Sequence, residues 1–216
     1  MSTQYKSILV LMMLAMTTNM NGKPDASSAR TTFFFDNYMK QHQHHLIQQN
    51  KTPTYAFADK YDVIYKCPNG TTVRRRGGSR AWRNNNPGCI RYSEFSKNMG
   101  AIGHAGGFAV FPSEEVGMNA ICSLLRSKKY AYKTICGAIN SYAPECENDT
   151  ERYQQIVQER MGLSGNTIVG KLNDDQMQKM ASVIRSVEGW TPGQEIIQQP
   201  NFAYQDNTKF VLYKNR

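Results

Sequence analysis

Apolar residues recur at helical spacing through residues 114–187, in segments that are bounded by helix-start and helix-stop signals. Ser113 is the predicted N-cap of the first segment, which begins with two acidic residues and ends near Ser127. The second segment covers residues 134–142 and ends before Pro144. These two segments predict a helical pair.

Two further helices follow on the same reasoning. Asn148 and Glu151 form a start signal like a capping box, and Gly162 is typical of the end of that helix. Asn173 and Gln176 repeat the start signal for a last helix that extends to about residue 187.

Signals for β structure are few. The run at residues 61–65 is β-prone, and a Pro-Asn-Gly turn joins it to residues 71–74, so a small hairpin is predicted there. Residues 74–80 are interpreted as a basic, flexible junction, and residues 210–213 as a possible terminal strand. The fold class expected is therefore mainly α: a compact helical domain with a small β-hairpin or short strands.

The N-terminus has the pattern of an export signal. Lys6 precedes an apolar run at residues 7–16, which is as long as a signal-peptide h-region and too short to span a bilayer. A buried N-terminal helix is the alternative interpretation. Export predicts a periplasmic or secreted protein.

These signals predict a division of the chain into four parts. They are a signal peptide (residues 1–22, with cleavage as late as residue 29), a polar extension with the hairpin and the basic junction (23–80), a helical domain (81–190) and a C-terminal tail (191–216).

The net charge of the chain narrows the possible binding partners less than the predicted export does. The formal net charge is +9, so a polyanion such as nucleic acid, an acidic lipid surface or an anionic wall polymer would be attracted non-specifically. No segment after the signal is apolar and long enough to span a membrane, so stable membrane insertion is not expected once the signal is removed.

The five cysteines show no CxxC and no Cys/His metal spacing, and His42 and His44 would not share a helix face, so no metal site is predicted. In an oxidising compartment, one or two disulfides with one odd thiol are expected. The pairing stays open, with Cys122 and Cys136 on consecutive helices as one option. A catalytic thiol is the alternative.

Glu188 is the carboxylate most favoured by the pattern. Met177, Ala181, Ile184 and Glu188 fall on one stripe of the last predicted helix, the stripe that faces the core. Partial burial there would raise the pKa of Glu188, as a general acid for glycosidic cleavage requires. The alternative is that Glu188 caps the helix or pairs with Arg185.

The segment Arg83-Asn-Asn-Asn-Pro-Gly88 has two interpretations. Asparagine amides before Pro-Gly hold tight turns by hydrogen-bonding the backbone. The same amides, as both donors and acceptors, suit the hydroxyl and acetamido groups of a sugar polymer.

The glycine-rich segment at residues 100–108 lacks the Gly-Lys-Ser/Thr ending of a P-loop, so no nucleotide site and no cofactor are predicted. His104 within it is either a general base or a surface residue. Near the third helix, Asn148 or Asp149 serves as the cap, which leaves Glu147 as the freer carboxylate.

Three motifs resemble a domain of phage virion structural proteins and of some bacterial secreted effectors. They occur in that family's order across roughly residues 81–190: Trp82-Arg-Asn-Asn-Asn-Pro-Gly-Cys-Ile90, Gly107-Phe-Ala-Val-Phe-Pro-Ser-Glu-Glu-Val-Gly117 and Ile139-Asn-Ser-Tyr-Ala-Pro-Glu-Cys-Glu-Asn-Asp-Thr150. The chain departs from the family at Cys89, where members usually have asparagine.

The resemblance implies a lysozyme-like module that cleaves peptidoglycan as a muramidase or lytic transglycosylase. Glu188 is then the predicted acid, with Glu147 or Glu115 as the second carboxylate. The predicted substrate-binding residues are Arg83, Asn85, Asn86, Asp149 and His104.

Two other functions stay open. One is a non-catalytic wall-binding or structural module of a secretion, conjugation or phage-derived machine. The other is a cysteine peptidase or amidase on the peptide stems, with a pair such as Cys89 and His104. The expected partners are peptidoglycan strands, with a possible immunity or secretion-machinery protein, no nucleic acid and a monomeric state.

Overall fold

The computed structural model describes residues 37–42, 49–145 and 149–200. The chain divides into two compact units, residues 1–50 and residues 51–216. In the first unit, residues 37–42 are helical, and the Tyr38 ring meets the His42 ring edge-on at 5.9 Å. The predicted signal peptide and the predicted strand at residues 210–213 lie outside the described residues.

The second unit contains a six-stranded mixed sheet with the strand order β5-β4-β1-β2-β3-β6. Its strands are β1 (Tyr55–Asp59), β2 (Asp62–Lys66), β3 (Thr72–Arg76), β4 (Gly103–Ala105), β5 (Phe108–Val110) and β6 (Gln194–Gln198). Neighbouring strands are antiparallel except β1 and β4, which are parallel. With 44% helix and 19% strand the protein is an α/β fold, so the prediction of a mainly α fold is wrong.

Strands β4, β5 and β6 were missed because their sequences carry little β signal. β4 and β5 have only three residues each, which is too short for a period-2 pattern to show. β6 is almost entirely exposed, and its two adjacent isoleucines stand between polar residues without a period-2 pattern. Long-range pairing, and not local propensity, makes these segments strands.

The basic junction predicted at residues 74–80 is in part the regular strand β3. Asp62 accepts hydrogen bonds from Arg74 at 2.7 Å and from Arg76 at 2.9 Å. Two of the arginines of β3 are therefore neutralised. These ion pairs hold the pKa of Asp62 below its usual value. The β2–β3 hairpin predicted from residues 61–74 is confirmed.

The sheet crosses the predicted domain limits. Strands β1 to β3 come from the predicted extension and β6 from the predicted tail, yet both groups pair in one sheet with β4 and β5. The compact unit therefore extends on both sides of residues 81–190.

The helices largely follow the predicted start and stop signals. They are α1 (Arg80–Arg83), α2 (Glu94–Asn98), α3 (Glu114–Arg126), α4 (Ile135–Tyr142), α5 (Thr150–Met161) and α6 (Asp174–Val187), with a 3-10 turn at Val169–Lys171. Ser113 caps α3, and Asn173 with Gln176 forms a capping box at α6, both as predicted. At α5 the cap is Asp149, whose carboxylate accepts from the Arg152 amide. Asp149 is one of the two residues predicted for this cap.

The helices and the sheet each bury an apolar cluster. Fully buried side chains between the helices include Ile121, Ile139 and Ile184. Such a side chain contributes about 1.5–3 kcal/mol by leaving water, so this cluster supplies most of the stabilisation. A smaller cluster on the sheet contains Val63, Tyr65 and Val110.

The structure describes four of the five cysteines. These four cysteines are free thiols, so Cys122 and Cys136 do not form the disulfide considered above. Cys146 lies outside the described residues.

No helix among the residues that the structure covers is long and apolar enough to cross a membrane.

Candidate active site

Glu188 is the C-cap of α6, and its backbone N–H donates to the Ile184 carbonyl at 2.9 Å. Met177, Ala181 and Ile184 are all buried, so the apolar stripe predicted for this helix is confirmed. The Glu188 side chain at the end of the stripe is half-buried. Arg185, considered as its partner, instead pairs with Glu114 at 2.7 Å and stacks on a tryptophan ring.

Two side chains donate hydrogen bonds to the Glu188 carboxylate. The Tyr153 hydroxyl, from α5, lies 3.2 Å from Oε1 of Glu188. The Cys89 thiol, from the loop after α1, is the second donor. Next to them the Tyr142 hydroxyl donates to the Gly88 carbonyl. Three elements thus converge on one carboxylate.

Burial controls the protonation of this cluster. Removal from water raises the pKa of Glu188 above its ordinary value, and the hydrogen bonds from Cys89 and Tyr153 lower it by less. No second carboxylate and no cation of the described residues is among the groups that shift this pKa. Within the described part of the chain, Glu188 is therefore a partly desolvated acid without a carboxylate neighbour that shifts its pKa.

Cys89 is a hydrogen-bond donor and not a thiolate. Burial, and after it the negative charge of Glu188, raises the pKa of Cys89 to about 12, against a smaller opposing effect of Arg80. His104 is exposed on β4 and packs against the Tyr92 ring at 4.8 Å. Activation of Cys89 by an adjacent base, as a cysteine peptidase needs, has no support in this geometry.

The asparagine amides of the loop are engaged with the backbone. Asn86 is buried, and its Nδ2 donates to the Ile90 carbonyl at 2.8 Å and to the Ala109 carbonyl at 2.9 Å. Its Oδ1 accepts from the Ile90 amide. Asn85 Nδ2 donates to the Phe111 carbonyl, while its Oδ1 accepts from Arg75. These bonds correspond to the turn-holding interpretation of the asparagines.

Two glycines let this loop pack closely against the helices. A Cβ on Gly88 would lie 2.5 Å from the Tyr142 hydroxyl, and one on Gly117 would lie 2.2 Å from the Asn85 carbonyl oxygen. Neither distance is compatible with a side chain. The close contact brings Cys89, the next residue after Gly88, to Glu188.

The other predicted site residues occupy different positions. Arg83 donates to the carbonyls of Gly77 and Gly78, and Asp149 is engaged as the cap of α5. Glu115 is exposed in the first turn of α3, and it is not one of the contacts that the described structure shows for Glu188. Glu147 lies outside the described residues.

Sequence reasoning did not place Tyr153, Cys89 or Tyr142 next to Glu188, and it considered Cys89 only as a nucleophile paired with His104. One signal was available for Tyr153. It shares a buried face of α5 with Val157, and a buried tyrosine hydroxyl needs a hydrogen-bond partner. No sequence pattern indicated that Cys89 would reach the same carboxylate.

Comparison with known proteins adds no relative to these observations. No protein-family model matches the chain, and neither curated proteins nor solved structures give a significant match. The likeness to the phage virion domain therefore stays a prediction from the three motifs.

Proposed function

We propose that this protein is an exported enzyme that cleaves the glycan strands of peptidoglycan, with Glu188 as the general acid. The observation that carries the proposal is the half-buried Glu188 carboxyl, whose pKa burial raises while Tyr153 orients it. A carboxyl that keeps its proton can protonate the oxygen between two sugars, and departure of that oxygen limits glycosidic cleavage.

The isolation of Glu188 favours a mechanism with one carboxylate. Glycosidases that use two carboxylates hold them about 5–9.5 Å apart, and at that separation each would affect the pKa of the other. No described carboxylate has such an effect on Glu188, and Glu147 lies outside the described residues. We therefore propose that the substrate itself supplies the nucleophile.

The reaction that fits is of the lytic transglycosylase type. Glu188 donates its proton to the bridging oxygen, and the bond from that oxygen to C1 of N-acetylmuramic acid breaks. The C6 hydroxyl of the same sugar forms a new bond to C1, and its proton passes to the Glu188 carboxylate. Glu188 ends protonated, as it began, and the product carries an internal anhydro ring without uptake of water.

Tyr153, Cys89 and the positive net charge of the chain each assist the proposed cleavage. Tyr153 and Cys89 stabilise the carboxylate that exists after the first proton transfer, because both donate hydrogen bonds to it. The net charge of +9 attracts the acidic peptide stems of the polymer and speeds encounter.

The test is mass spectrometry of fragments released from purified murein by the wild-type protein, Glu188→Gln and a control, Glu159→Gln. Glu159 is an exposed residue of α5, on the helix that carries Tyr153. We expect anhydro fragments from the wild type and the control, and a loss of about 10²–10⁴-fold in Glu188→Gln.

The products separate this proposal from its rivals. Fragments with reducing ends would indicate hydrolysis in place of the transglycosylase step. They would point to Glu147 as a second carboxylate. Cleaved peptide stems, or no products at all, would contradict Glu188 as the acid of a glycan-cleaving enzyme.

A non-catalytic wall-binding module is the second candidate. It is favoured by the full engagement of the Asn85 and Asn86 amides with the protein, since neither amide is offered to a reacting sugar. This candidate predicts that wild type and Glu188→Gln sediment equally with murein and release nothing from it.

A further inference from the structure

A groove of about 890 Å³ lies along β1 and β4, apart from the Glu188 cluster. It is defined here as the aromatic groove, and its lining consists of ring-bearing and small residues. The rings belong to Tyr55, Phe57, Tyr92 and His104. Nothing in the reaction proposed for Glu188 has used this surface.

The four rings form a row on one face of the sheet. Tyr55 and Phe57 are two residues apart on β1, which places them on the same face, and their ring centroids are 5.7 Å apart. Phe57 is the register partner of His104 on β4. His104 in turn packs against Tyr92 at 4.8 Å.

These rings are exposed to a degree that is unusual for aromatic side chains. Tyr55 is 56% exposed, Tyr92 37% and Phe57 36%. A row of exposed rings in one groove marks a binding surface more often than an accident of folding. The row is therefore a platform for flat or ring-shaped ligands.

The charge of the lining restricts the occupant. None of the residues that line the aromatic groove is Lys, Arg, Asp or Glu. Two cations lie near the groove without lining it: the Lys97 ammonium is 5.5 Å from the Tyr92 ring, and a Cβ on Gly107 would lie 3.9 Å from a guanidinium nitrogen of Arg91. Single-stranded nucleic acids need cations that follow the phosphates between the stacked bases, and the lining residues themselves offer none. An uncharged ligand fits it better.

A sugar strand meets these requirements. The C–H faces of pyranose rings pack on aromatic rings, while their hydroxyl and acetamido groups stay at the wet rim. The floor is made of small residues such as Ala105, Gly106 and Gly107, so a ring can approach the backbone closely.

The aromatic groove is also close to the candidate active site along the chain. Tyr92 is three positions after Cys89, the hydrogen-bond donor to Glu188, so their Cα atoms are at most about 11 Å apart. The Tyr92 amide donates to the Gly107 carbonyl at 3.0 Å, which holds this connection against the glycine turn after β4. A short segment of the chain therefore joins the aromatic groove to the candidate active site.

We propose that the aromatic groove is a saccharide subsite that binds N-acetylated pyranose rings of a glycan strand over Tyr92, His104 and Phe57. The proposal rests on the proposed function for its choice of sugar. It extends that function by naming the surface that holds the strand outside the reacting bond.

The test is calorimetric titration of the full chain with a neutral β-1,4-linked N-acetylglucosamine oligomer. We expect Tyr92→Ala and His104→Ala each to weaken binding by about five- to tenfold, as the loss of a stacking contact does. Tyr132→Ala is the matched control, because Tyr132 is 82% exposed and does not line the groove. It should bind like the wild type.

Thermal unfolding of each variant accompanies the titration, so that a folding defect is recognised, and Phe57→Ala is a further variant of the row. Absence of oligomer binding by the wild type, or equal binding by folded Tyr92→Ala and His104→Ala, overturns the proposal. So does tighter binding of a single-stranded oligodeoxynucleotide that the same two variants abolish, because the ligand is then a nucleic acid.

The outcome is separable from that of the proposed function. If the chain binds the oligomer through Tyr92 but releases nothing from murein, the subsite proposal holds and the proposed enzymatic function fails. If Tyr92→Ala releases anhydro fragments at the same rate as the wild type, the proposed enzymatic function holds and the subsite proposal fails.

Discussion

The Tyr153 hydroxyl and the Glu188 carboxylate, 35 residues apart in the chain, share a hydrogen bond of 3.2 Å. It joins the first turn of α5 to the end of α6, two helices that pack against each other. The bond favours the charged form of Glu188, whereas burial favours the neutral form. Their balance determines the pH range over which Glu188 can act as an acid.

Tyr153→Phe should extend activity to higher pH. The hydrogen bond lowers the pKa of Glu188, so its removal lets that pKa rise further and the acid form survives at higher pH. The maximal rate should fall by about tenfold, because the carboxyl loses its orientation. The measurement is the pH profile of fragment release from murein, with the exposed Tyr132→Phe as control. An alkaline limb that stays in place or moves to lower pH would contradict this role of Tyr153.

Glu188→Gln should change the pH dependence of stability. Because burial raises the pKa of Glu188, the folded protein holds the proton more tightly than the unfolded chain, whose carboxyl has the ordinary value of 4.5. The stabilisation from this group is complete below 4.5 and is lost as the pH rises through the folded value.

Since glutamine stays neutral, the melting temperature of Glu188→Gln relative to the wild type should be higher at about pH 7 than at about pH 4. Thermal unfolding at the two pH values measures this difference. A difference that shrinks with rising pH would show that the folded protein prefers the charged form of Glu188.

Asn86→Ala should destabilise the protein by about 2–4 kcal/mol. The substitution removes three hydrogen bonds and leaves the buried Ile90 amide and the Ala109 carbonyl with one bond fewer. Chemical denaturation measures the loss, and Asn166→Ala, at an exposed position, is the control. Unchanged stability together with weaker murein binding would return Asn86 to the substrate-binding role predicted from sequence.

Gly117→Ala should cost about 3 kcal/mol or more, because the new methyl group would lie 2.2 Å from the Asn85 carbonyl oxygen, which is backbone and cannot move alone. Gly137→Ala is the control, since its nearest neighbour is the Thr134 hydroxyl at 3.2 Å and alanine favours the helix. Denaturation midpoints of the two variants give the comparison. Equal stabilities would mean that the asparagine loop does not pack on α3 as described.

Cys89 should react with iodoacetamide about a thousandfold more slowly than a free thiol, because its pKa of about 12 leaves little thiolate. Peptide mapping after timed alkylation of the folded protein gives the rate for Cys89, with the denatured protein as reference. Rapid modification that abolishes activity would revive the cysteine peptidase alternative.

Helix ends were the part of the fold that sequence predicted best. Ser113, Gly162 and Asn173 each act where they were expected, because a cap bonds to backbone within its own turn. The Asp149 cap of α5 is one of the two residues, Asn148 and Asp149, that the sequence offered for that position.

The sheet was largely missed for the opposite reason. Gly103, for instance, belongs to a strand because its backbone packs directly on Ala56, where a Cβ would lie 1.9 Å from the carbonyl oxygen. The arginines of β3 looked like a loop because their partners, Asp62 and Glu195, are brought to them by other strands.

Sequence alone placed Glu188 at the end of a buried stripe, since helical periodicity depends only on the spacing of residues along one helix. Which groups meet that carboxyl was decided by tertiary packing, because Tyr153 and Cys89 approach it from segments 35 and 99 residues away. Burial and hydrogen bonding set its protonation, and both arise only when the separate elements come together.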